Sequence, residues 1–160
     1  MKSPKYKGRL FMKAVWQRVL EASVEVDGKI YGKIGKGALV FIGIEHGDEE
    51  KDLNYIVDKC VNLRLFEDEN GKFDRSLLDV NGEILLVSQF TLLGDCRKGR
   101  RPSFSKAMPP TDAKIFYNKA VELIKEKGIR CETGIFQAHM KVHLINDGPV
   151  TVLLDSRKNF

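Results

Sequence analysis

The polar residues best suited to chemistry interrupt an apolar run, LLVSQFTLL, at residues 85–93. Ser88, Gln89 and Thr91 lie within this run, which reads as a strand. Burying a hydroxyl or an amide without a hydrogen-bond partner costs about 1–3 kcal/mol. We therefore expect these side chains to line a pocket or lie at a sheet end. Partners within the sheet would satisfy them equally well, so both interpretations stay open at this point.

A basic tract follows directly in GDCRKGRRPSFS. The net charge of the chain is +5, but residues 1–11 carry four cations and no acid, so the remainder is nearly neutral. The cations that matter are therefore those that cluster, namely Arg97, Lys98, Arg100 and Arg101. A charge run of this kind is usually a solvated loop. Beside a polar pocket it would instead hold a phosphate backbone.

The histidines do not form a recognisable catalytic or metal site. Polar and apolar residues alternate over 138–144, so His139 and His143 are expected on the polar face of one strand. They would be about 13 Å apart, too far to bind one metal ion. The sequence also lacks a GxSxG elbow, a GxGxxG fingerprint and a Walker motif. We predict no metal and no cofactor.

A second short stretch, NDGPVT, places Gly148 and Pro149 between two apolar runs. Asp147-Gly148 is a strong turn signal, and the simplest interpretation is a hairpin turn.

The hydrophobic pattern predicts the elements that position these residues. Strands are expected at 22–26, after the Asp27-Gly28 turn at 29–34, and at 38–44, where a fully apolar run indicates burial on both faces. Further strands are expected at 82–93, 129–132, 138–145 and 149–154.

Two amphipathic helices are predicted between these strands. Apolar residues at i, i+3, i+4, i+7 and i+8 from Leu53 indicate a helix that starts near Asp48. A second helix follows Pro109-Pro110, with Thr111 as its N-cap, and stops at Gly128. The fold class is α+β, with a curled antiparallel or mixed sheet, a sandwich or partial barrel, and two helices against it.

Length and composition fit one soluble domain. The chain has 160 residues, and no apolar run approaches the roughly 20 residues that cross a bilayer. The opening residues lack the apolar segment of a secretory signal, which favours a cytoplasmic location without a membrane partner. Cys60, Cys96 and Cys131 suit reduced thiols, with Cys60 in the core.

Taken together, these stretches resemble the D-aminoacyl-tRNA deacylases of the D-tyrosyl-tRNA deacylase type. The signatures SQFTL and NxGPxT are present at residues 88–92 and 146–151. MKAVWQRV, LRLFEDENGK, RKGRRPSFS and TGIFQAHMKVHLINDGPVTVLLDS are similar in the same order, from Met12 to about Ser156. The family begins at Met12, so residues 1–11 are expected to be an extension, a misassigned start or a cloning remnant, and 12–160 the domain. The family usually has glycine in place of Gln137.

The resemblance implies a function: hydrolysis of the ester in D-aminoacyl-tRNA by a homodimer. It implies that the Gly148–Pro149 peptide is cis and is presented to the active site of the dimer mate. The two carbonyls would meet the α-amino group and leave no room for an L side chain. A rigid obstruction discriminates better than favourable contacts, which are worth only about 1–3 kcal/mol per methylene. Glycine would escape this filter, so mischarged glycyl-tRNA is an implied second substrate.

The resemblance also assigns roles to single residues. Ser88, Gln89, Phe90 and Thr91 are the catalytic candidates, with backbone N–H groups around Phe90 as oxyanion donors. Thr91 is a candidate nucleophile, but water assisted by the ribose 2′-hydroxyl is preferred because no base is recognisable near Thr91. Arg18 is expected to brace the Gly-Pro turn. The substrate-binding candidates are Arg18, Phe136, Met140, Asn146, Gly148, Pro149 and Thr151, and the tRNA-binding candidates are Arg97, Lys98, Arg100 and Arg101.

Two other functions compete with this one. A noncatalytic RNA-binding domain would use the same basic tract without turnover. A metal-dependent hydrolase would lose activity with a chelator, although the spacing of His139 and His143 disfavours it.

Overall fold

The structure is a computed structural model that describes residues 12–158, so the predicted extension at 1–11 lies outside it. Its elements confirm the α+β class with a curled mixed sheet and two helices. They are β1 Lys13–Val26, β2 Lys29–Ile34, β3 Gly37–Gly43, α1 Glu50–Asn62, β4 Phe66–Glu67, β5 Phe73–Arg75, β6 Glu83–Ser88, a 3₁₀ helix Phe90–Leu93, α2 Pro110–Glu126, β7 Cys131–Thr133 and β8 Lys141–Asp155.

The long strand β1 organises the main sheet. It pairs antiparallel with β2, β3 and β8, while β3–β6 and β6–β7 are parallel pairs. The sheet curls until β2 packs against β7, where a Cβ added at Gly32 would overlap the carbonyl oxygen of Thr133. Glycine is therefore required at this close approach. The small β4–β5 hairpin lies in a stretch for which the hydrophobic pattern predicted no strand.

The apolar strand β3 separates two buried cores, as its unbroken hydrophobic run predicts. Ala38, Val40 and Ile42 face a core shared with the two helices, and Leu39 faces a second core that includes Val24. Successive side chains of a strand point to opposite faces, so only a continuous apolar run serves both cores.

Helix α1 buries its predicted stripe, and both helices start differently from prediction. Leu53, Ile56, Val57, Cys60 and Val61 of α1 are all buried. This helix begins at Glu50, after a capping box between Glu49 and Asp52. The assignment of Thr111 as N-cap of α2 is wrong, because Pro109 takes that position. Pro110 is the first helical residue, where the N–H that proline lacks would have no intrahelical partner.

The strand predicted over residues 82–93 ends early. The last pair of β6 with β3 is Ser88 with Ile42, and Phe90 begins the 3₁₀ helix. The next residue of β3, Gly43, has no side chain, so the carbonyl oxygen of Gln89 and the side chain of Leu92 pack over it. Gln89 and Thr91 therefore lie beyond the sheet end rather than inside a strand.

The two strands predicted near the carboxyl end are one continuous strand. β8 runs from Lys141 to Asp155 and pairs with β1 on both sides of the Gly-Pro pair, so the hairpin interpretation is wrong. Residues 138–140 precede this strand, which removes His139 from the predicted polar face. His143 lies on β8 and contacts Glu25.

No helix within residues 12–158 is long and apolar enough to cross a membrane. Cys60 is buried, as predicted, and burial raises the pKa of its thiol to about 12.

The loop before α1 buries an acid. Asp48 accepts a hydrogen bond from the Glu45 N–H through Oδ2 at 2.7 Å, whereas its buried Oδ1 has no hydrogen-bond partner in the described part of the chain. Burial, and to a lesser extent the neighbouring Asp52, Glu45 and Asp155, raise the pKa of Asp48 to about 8. Asp48 is therefore protonated in the folded protein at neutral pH.

We expect the Asp48→Asn variant to have a flatter dependence of stability on pH. Between about pH 4 and pH 8 the folded protein holds a proton that the unfolded chain releases, so the free energy of unfolding decreases as pH rises, by up to about 1.4 kcal/mol per pH unit. Asparagine keeps the acceptor for Glu45 and does not ionise. Urea unfolding at pH 5 and pH 8 gives the free energy of unfolding of both proteins at each pH. An equal change in this free energy between the two pH values for wild type and variant would contradict the prediction.

Candidate active site

A cavity of about 530 Å³ lies at the end of β6. Three segments form most of its wall: residues 88–91, residues 107–110 at the start of α2, and residues 136–138 with Met140. The predicted residues Ser88, Gln89, Phe90, Thr91, Phe136 and Met140 all line it.

Among residues 12–158, no ionisable side chain lines this cavity. Its polar side chains are Ser88, Gln89, Thr91 and Gln137, and the rest are apolar or aromatic. A side chain that exchanges a proton during catalysis must lie within hydrogen-bond reach of the reacting group. Among the described residues of one chain, the wall therefore offers hydrogen-bond donors and acceptors but no acid or base.

The SQFT segment combines an anchored backbone with free donors. The Gln89 N–H donates to the Ile42 carbonyl at 2.8 Å, which fixes the segment to β3. Phe90 and Thr91 open the 3₁₀ helix, where N–H groups have no acceptor within the helix. Gln89 Nε2 donates to Thr91 Oγ1 at 3.0 Å. An amide N–H removes no proton from a hydroxyl, so this contact orients Thr91 without activating it.

Aromatic rings border the same cavity. Phe90 and Phe104 meet edge to face with centroids 5.3 Å apart, and 56% of Phe90 is exposed. Phe136 packs against Tyr117, whose hydroxyl donates to the Leu86 carbonyl at 2.6 Å. The hydrogen bond of Tyr117 therefore links the wall that contains Phe136 to β6.

Gln137 occupies an unfavourable backbone conformation at the cavity wall. The Ala138 N–H donates to the Ile135 carbonyl at 3.2 Å, which closes a turn with Gln137 as its third residue. The φ angle of Gln137 is +66°. This position of a type II turn favours glycine, and the left-handed region costs other residues roughly 1–2 kcal/mol.

The Gly-Pro pair lies in an excursion of β8 away from β1. Gln17 pairs with Thr151 and Val19 pairs with Asn146, so residues 147–150 face the single residue Arg18. The Asn146 side chain closes the excursion: its Oδ1 accepts from the Val150 N–H at 2.8 Å, and its Nδ2 donates to the Val150 carbonyl and to Thr151 Oγ1. The Gly148–Pro149 peptide bond is cis.

Arg18 connects this excursion to the β4–β5 hairpin. Its side chain is only 8% exposed. Its Nε donates to the Asp147 carbonyl at 2.9 Å and its Nη1 to the Leu65 carbonyl at 3.0 Å. The guanidinium is also 3.7 Å from the Glu67 carboxylate. Arg18 is therefore a buried link rather than an ordinary surface arginine.

Within one chain, the predicted site residues fall into two separate groups. Gly148 lines a second cavity, of about 550 Å³, together with Arg18 and Asp147. No residue of its wall also lines the first cavity. One chain therefore does not bring the NDGPVT and SQFT segments into a common site.

The basic tract lies beside the first cavity in a closed loop. Asp95 and Ser103 exchange two backbone hydrogen bonds across its base. Arg97 donates to both carboxylate oxygens of Asp95, at 2.9 and 2.7 Å, and these bonds hold the pKa of Asp95 well below its usual range. Over residues 12–158, no carboxylate pairs with the other three predicted cations: Lys98, Arg100 and Arg101.

Comparison with known protein families shows to which family this chain belongs. The sequence profile of the family described as D-Tyr-tRNA(Tyr) deacylase matches residues 15–155. The chain belongs to this family. Proteins named D-aminoacyl-tRNA deacylase from Halothermothrix orenii and Thermotoga petrophila are 60% and 57% identical to it, each over 93% of this chain and 100% of the relative.

Solved structures share this fold. A protein titled c-Myc DNA Unwinding Element Binding Protein superposes with a TM-score of 0.83 at 47% identity, covering 89% of this chain and 97% of its own. A probable eukaryotic D-amino acid tRNA deacylase superposes with a TM-score of 0.80, covering 91% and 100%. The second is only 17% identical, so it supports the fold alone.

Proposed function

We propose that this protein hydrolyses the ester bond between a D-amino acid and the terminal adenosine of tRNA, and that it also releases glycine from mischarged glycyl-tRNA. The observation that carries the proposal is the uncharged cavity bounded by the SQFT backbone, in a chain of the D-Tyr-tRNA(Tyr) deacylase family. We propose that the reaction takes place in the cytoplasm, where aminoacyl-tRNA is used.

Ester hydrolysis in this cavity relies on backbone donors. The tetrahedral intermediate carries a negative oxygen, and N–H groups already aimed at that oxygen lower the barrier. The N–H groups of Phe90 and Thr91 are available for this role at the start of the 3₁₀ helix. A water molecule is the nucleophile, and the ribose 2′-hydroxyl of the substrate assists it, because no side chain of the cavity wall acts as a base.

The Thr91→Val variant is expected to keep the wild-type rate of deacylation within about threefold. Valine preserves the shape of threonine but lacks the hydroxyl that a covalent route requires. The hydroxyl accepts from Gln89, so its loss frees only one exposed amide. Single-turnover release of D-tyrosine from D-tyrosyl-tRNA measures the rate. A complete loss of activity in a folded variant would establish Thr91 as the nucleophile.

Chiral selection is proposed to come from the main chain of a second copy. The carbonyls of Gly148 and Pro149 would meet the α-amino group and obstruct an L side chain. Two observations support a second copy: Gly148 and SQFT line different cavities of one chain, and Gly148 and Pro149 are exposed. Exposed apolar side chains on β1 and β8 are available to a homodimer interface, namely Leu20, Ile145 and Leu153.

The basic tract is proposed to bind phosphates of the tRNA acceptor stem. Lys98, Arg100 and Arg101 are better placed for this than Arg97, whose guanidinium is already bound to Asp95.

The affinity of a protein for tRNA falls as salt rises, and a plot of log K against log salt concentration gives a slope. Alanine at Lys98, Arg100 or Arg101 is expected to lower the magnitude of this slope by about one each. Alanine at Arg97 is expected to lower the slope less, because that charge is already paired. Binding of uncharged tRNA at several salt concentrations measures the slope, and four unchanged slopes would remove the assignment.

The decisive experiment compares D-tyrosyl-tRNA with L-tyrosyl-tRNA as substrates. We expect the D ester to disappear at least about 100-fold faster, since rigid backbone excludes the L side chain. A noncatalytic RNA-binding domain would bind both without turnover. Equal hydrolysis of the two esters would contradict chiral selection.

A further inference from the structure

We propose that Phe104, supported by Phe90, stacks on the base of the penultimate nucleotide of tRNA, next to the cavity that takes the terminal aminoacyl adenosine. The inference rests on the proposed function, because it adds a contact to the substrate of the same cavity. It assigns a role to an aromatic residue outside the SQFT and NDGPVT segments. The single-stranded 3′ end is then held by a base as well as by phosphates.

The rings of Phe90 and Phe104 form an exposed aromatic pair. They are 56% and 37% exposed, and both line the cavity. Their edge-to-face contact, with an interplanar angle of 78°, covers a single ring face. Contiguous exposed apolar groups mark binding surfaces more often than single ones do. The pair therefore has aromatic surface available to a third ring beside the cavity.

Phe104 is held in place by its surroundings. The Asp95 and Ser103 backbones pair across the base of the loop at 2.8 and 2.9 Å, and the Ala107 N–H donates to the Phe104 carbonyl at 3.1 Å. The ring packs over Gly94, where an added Cβ would lie 2.9 Å from Cε1 of Phe104. Binding loses less entropy when the contacting ring is already fixed. Phe104 is therefore positioned for a stacking contact before any ligand arrives.

Phe104 also belongs to the loop that carries the basic tract. It follows Arg101 by three residues, and Lys98, Arg100 and Arg101 are exposed cations without a carboxylate partner among residues 12–158. Proteins that bind single-stranded nucleic acid combine such cations, which contact phosphates, with aromatic rings on which bases stack. Phe104 lines the cavity, whereas the three cations do not. The loop thus offers a base contact beside the terminal nucleotide and phosphate contacts farther from it.

The size of the cavity indicates which nucleotide meets the aromatic pair. At about 530 Å³ it is as large as sites that enclose a whole small ligand, so we assign the terminal aminoacyl nucleoside to it. The rings at its border are then nearest to the penultimate nucleotide. Phenyl rings carry no hydrogen-bonding group, and stacking on them depends little on the identity of the base. All tRNAs share the same 3′-terminal sequence, so this contact serves every substrate while the amino acid varies.

The test removes the base and keeps the phosphate. D-Tyrosyl-tRNA is compared with the same molecule whose penultimate nucleotide is abasic. We expect wild-type protein to cleave the intact form with about tenfold higher kcat/KM, an effect in the usual range for one stacked base. In the Phe104→Leu variant the two values should agree within about twofold. Equal values for wild type, or a Phe104→Leu variant that keeps the preference, would overturn the inference.

Matched variants separate stacking from charge. Phe104→Tyr keeps a ring and should keep the preference for the intact tRNA. Arg100→Ala removes a charge, and because both substrates carry the same phosphates, it should lower both kcat/KM values by a similar factor. Loss of the preference in Arg100→Ala would assign the effect to the loop as a whole and contradict stacking by Phe104. Thermal unfolding verifies that each variant is folded.

The inference and the proposed function fail in different ways. A wild-type protein inactive on both forms of D-tyrosyl-tRNA would refute the proposed function itself. Active protein that cleaves both forms equally well would refute only the role of Phe104.

Discussion

Replacing Phe90 with proline is expected to lower the rate constant of D-tyrosyl-tRNA hydrolysis by about 100- to 1000-fold, the usual effect of removing one oxyanion donor. Proline lacks the N–H group that we assign to the oxyanion. Phe90 is the first residue of the 3₁₀ helix, where proline has a suitable φ and breaks no intrahelical bond. Binding of tRNA should change little.

The Phe90→Ala variant is the matched control. Alanine keeps the N–H group and loses only the ring, which is 56% exposed and contacts Phe104. We expect Phe90→Ala to lose less than about tenfold in rate, so the difference between the two variants isolates the backbone donor. Single-turnover rates and thermal unfolding of both variants complete the measurement. Equal losses would assign the effect to the ring and reject the N–H group as the donor.

Mixing two inactive variants is expected to restore activity if the Gly-Pro segment acts on the neighbouring copy. Gly148→Ala should be inactive alone, because its φ of +143° disfavours other residues and the added Cβ would lie 2.9 Å from the Val150 nitrogen. Phe90→Pro is inactive for a different reason. A dimer with one chain of each kind has one site with an intact SQFT segment and an intact Gly148. Random exchange into symmetric dimers therefore yields about a quarter of wild-type activity.

The control for this mixture is a chain that carries both substitutions. Mixed with Phe90→Pro, the double variant provides no intact SQFT segment, and activity should stay at background. Sedimentation of the mixture verifies that dimers form and exchange. Background activity in the first mixture, despite exchanged dimers, would mean that each chain uses its own Gly148.

The sequence predicts the parts of this fold that follow from periodicity. The apolar stripe from Leu53 to Val61 predicts a helix with one buried face, and the unbroken apolar run of β3 predicts a strand buried on both faces. The structure confirms both. The end of β6 was less predictable, because it depends on Gly43 in a different strand. Local turn signals were also misleading at Asp147-Gly148, where pairing of β1 with β8 continues on both sides and overrides them.

The sequence singled out Ser88, Gln89 and Thr91, which line the first cavity, but not how the predicted segments are arranged. The motifs identify SQFT and NDGPVT, yet neither reveals that they line different cavities of one chain. The pairing of Arg97 with Asp95 could have been predicted from the sequence, because acids and cations two residues apart often pair. Gln137 carried a signal only as a departure from the usual glycine, and its positive φ gives that departure a physical meaning.

The uncharged wall of the cavity has a consequence for how the protein responds to its surroundings. No described side chain of the wall gains or loses a proton near neutral pH, so moderate acidification has no direct target there, whereas Met108 and Met140 remain open to oxidation. Inhibitors of this site would have to imitate the shape of the ester and its nucleotide, because the described residues of the wall include no cysteine or lysine for a covalent warhead to capture.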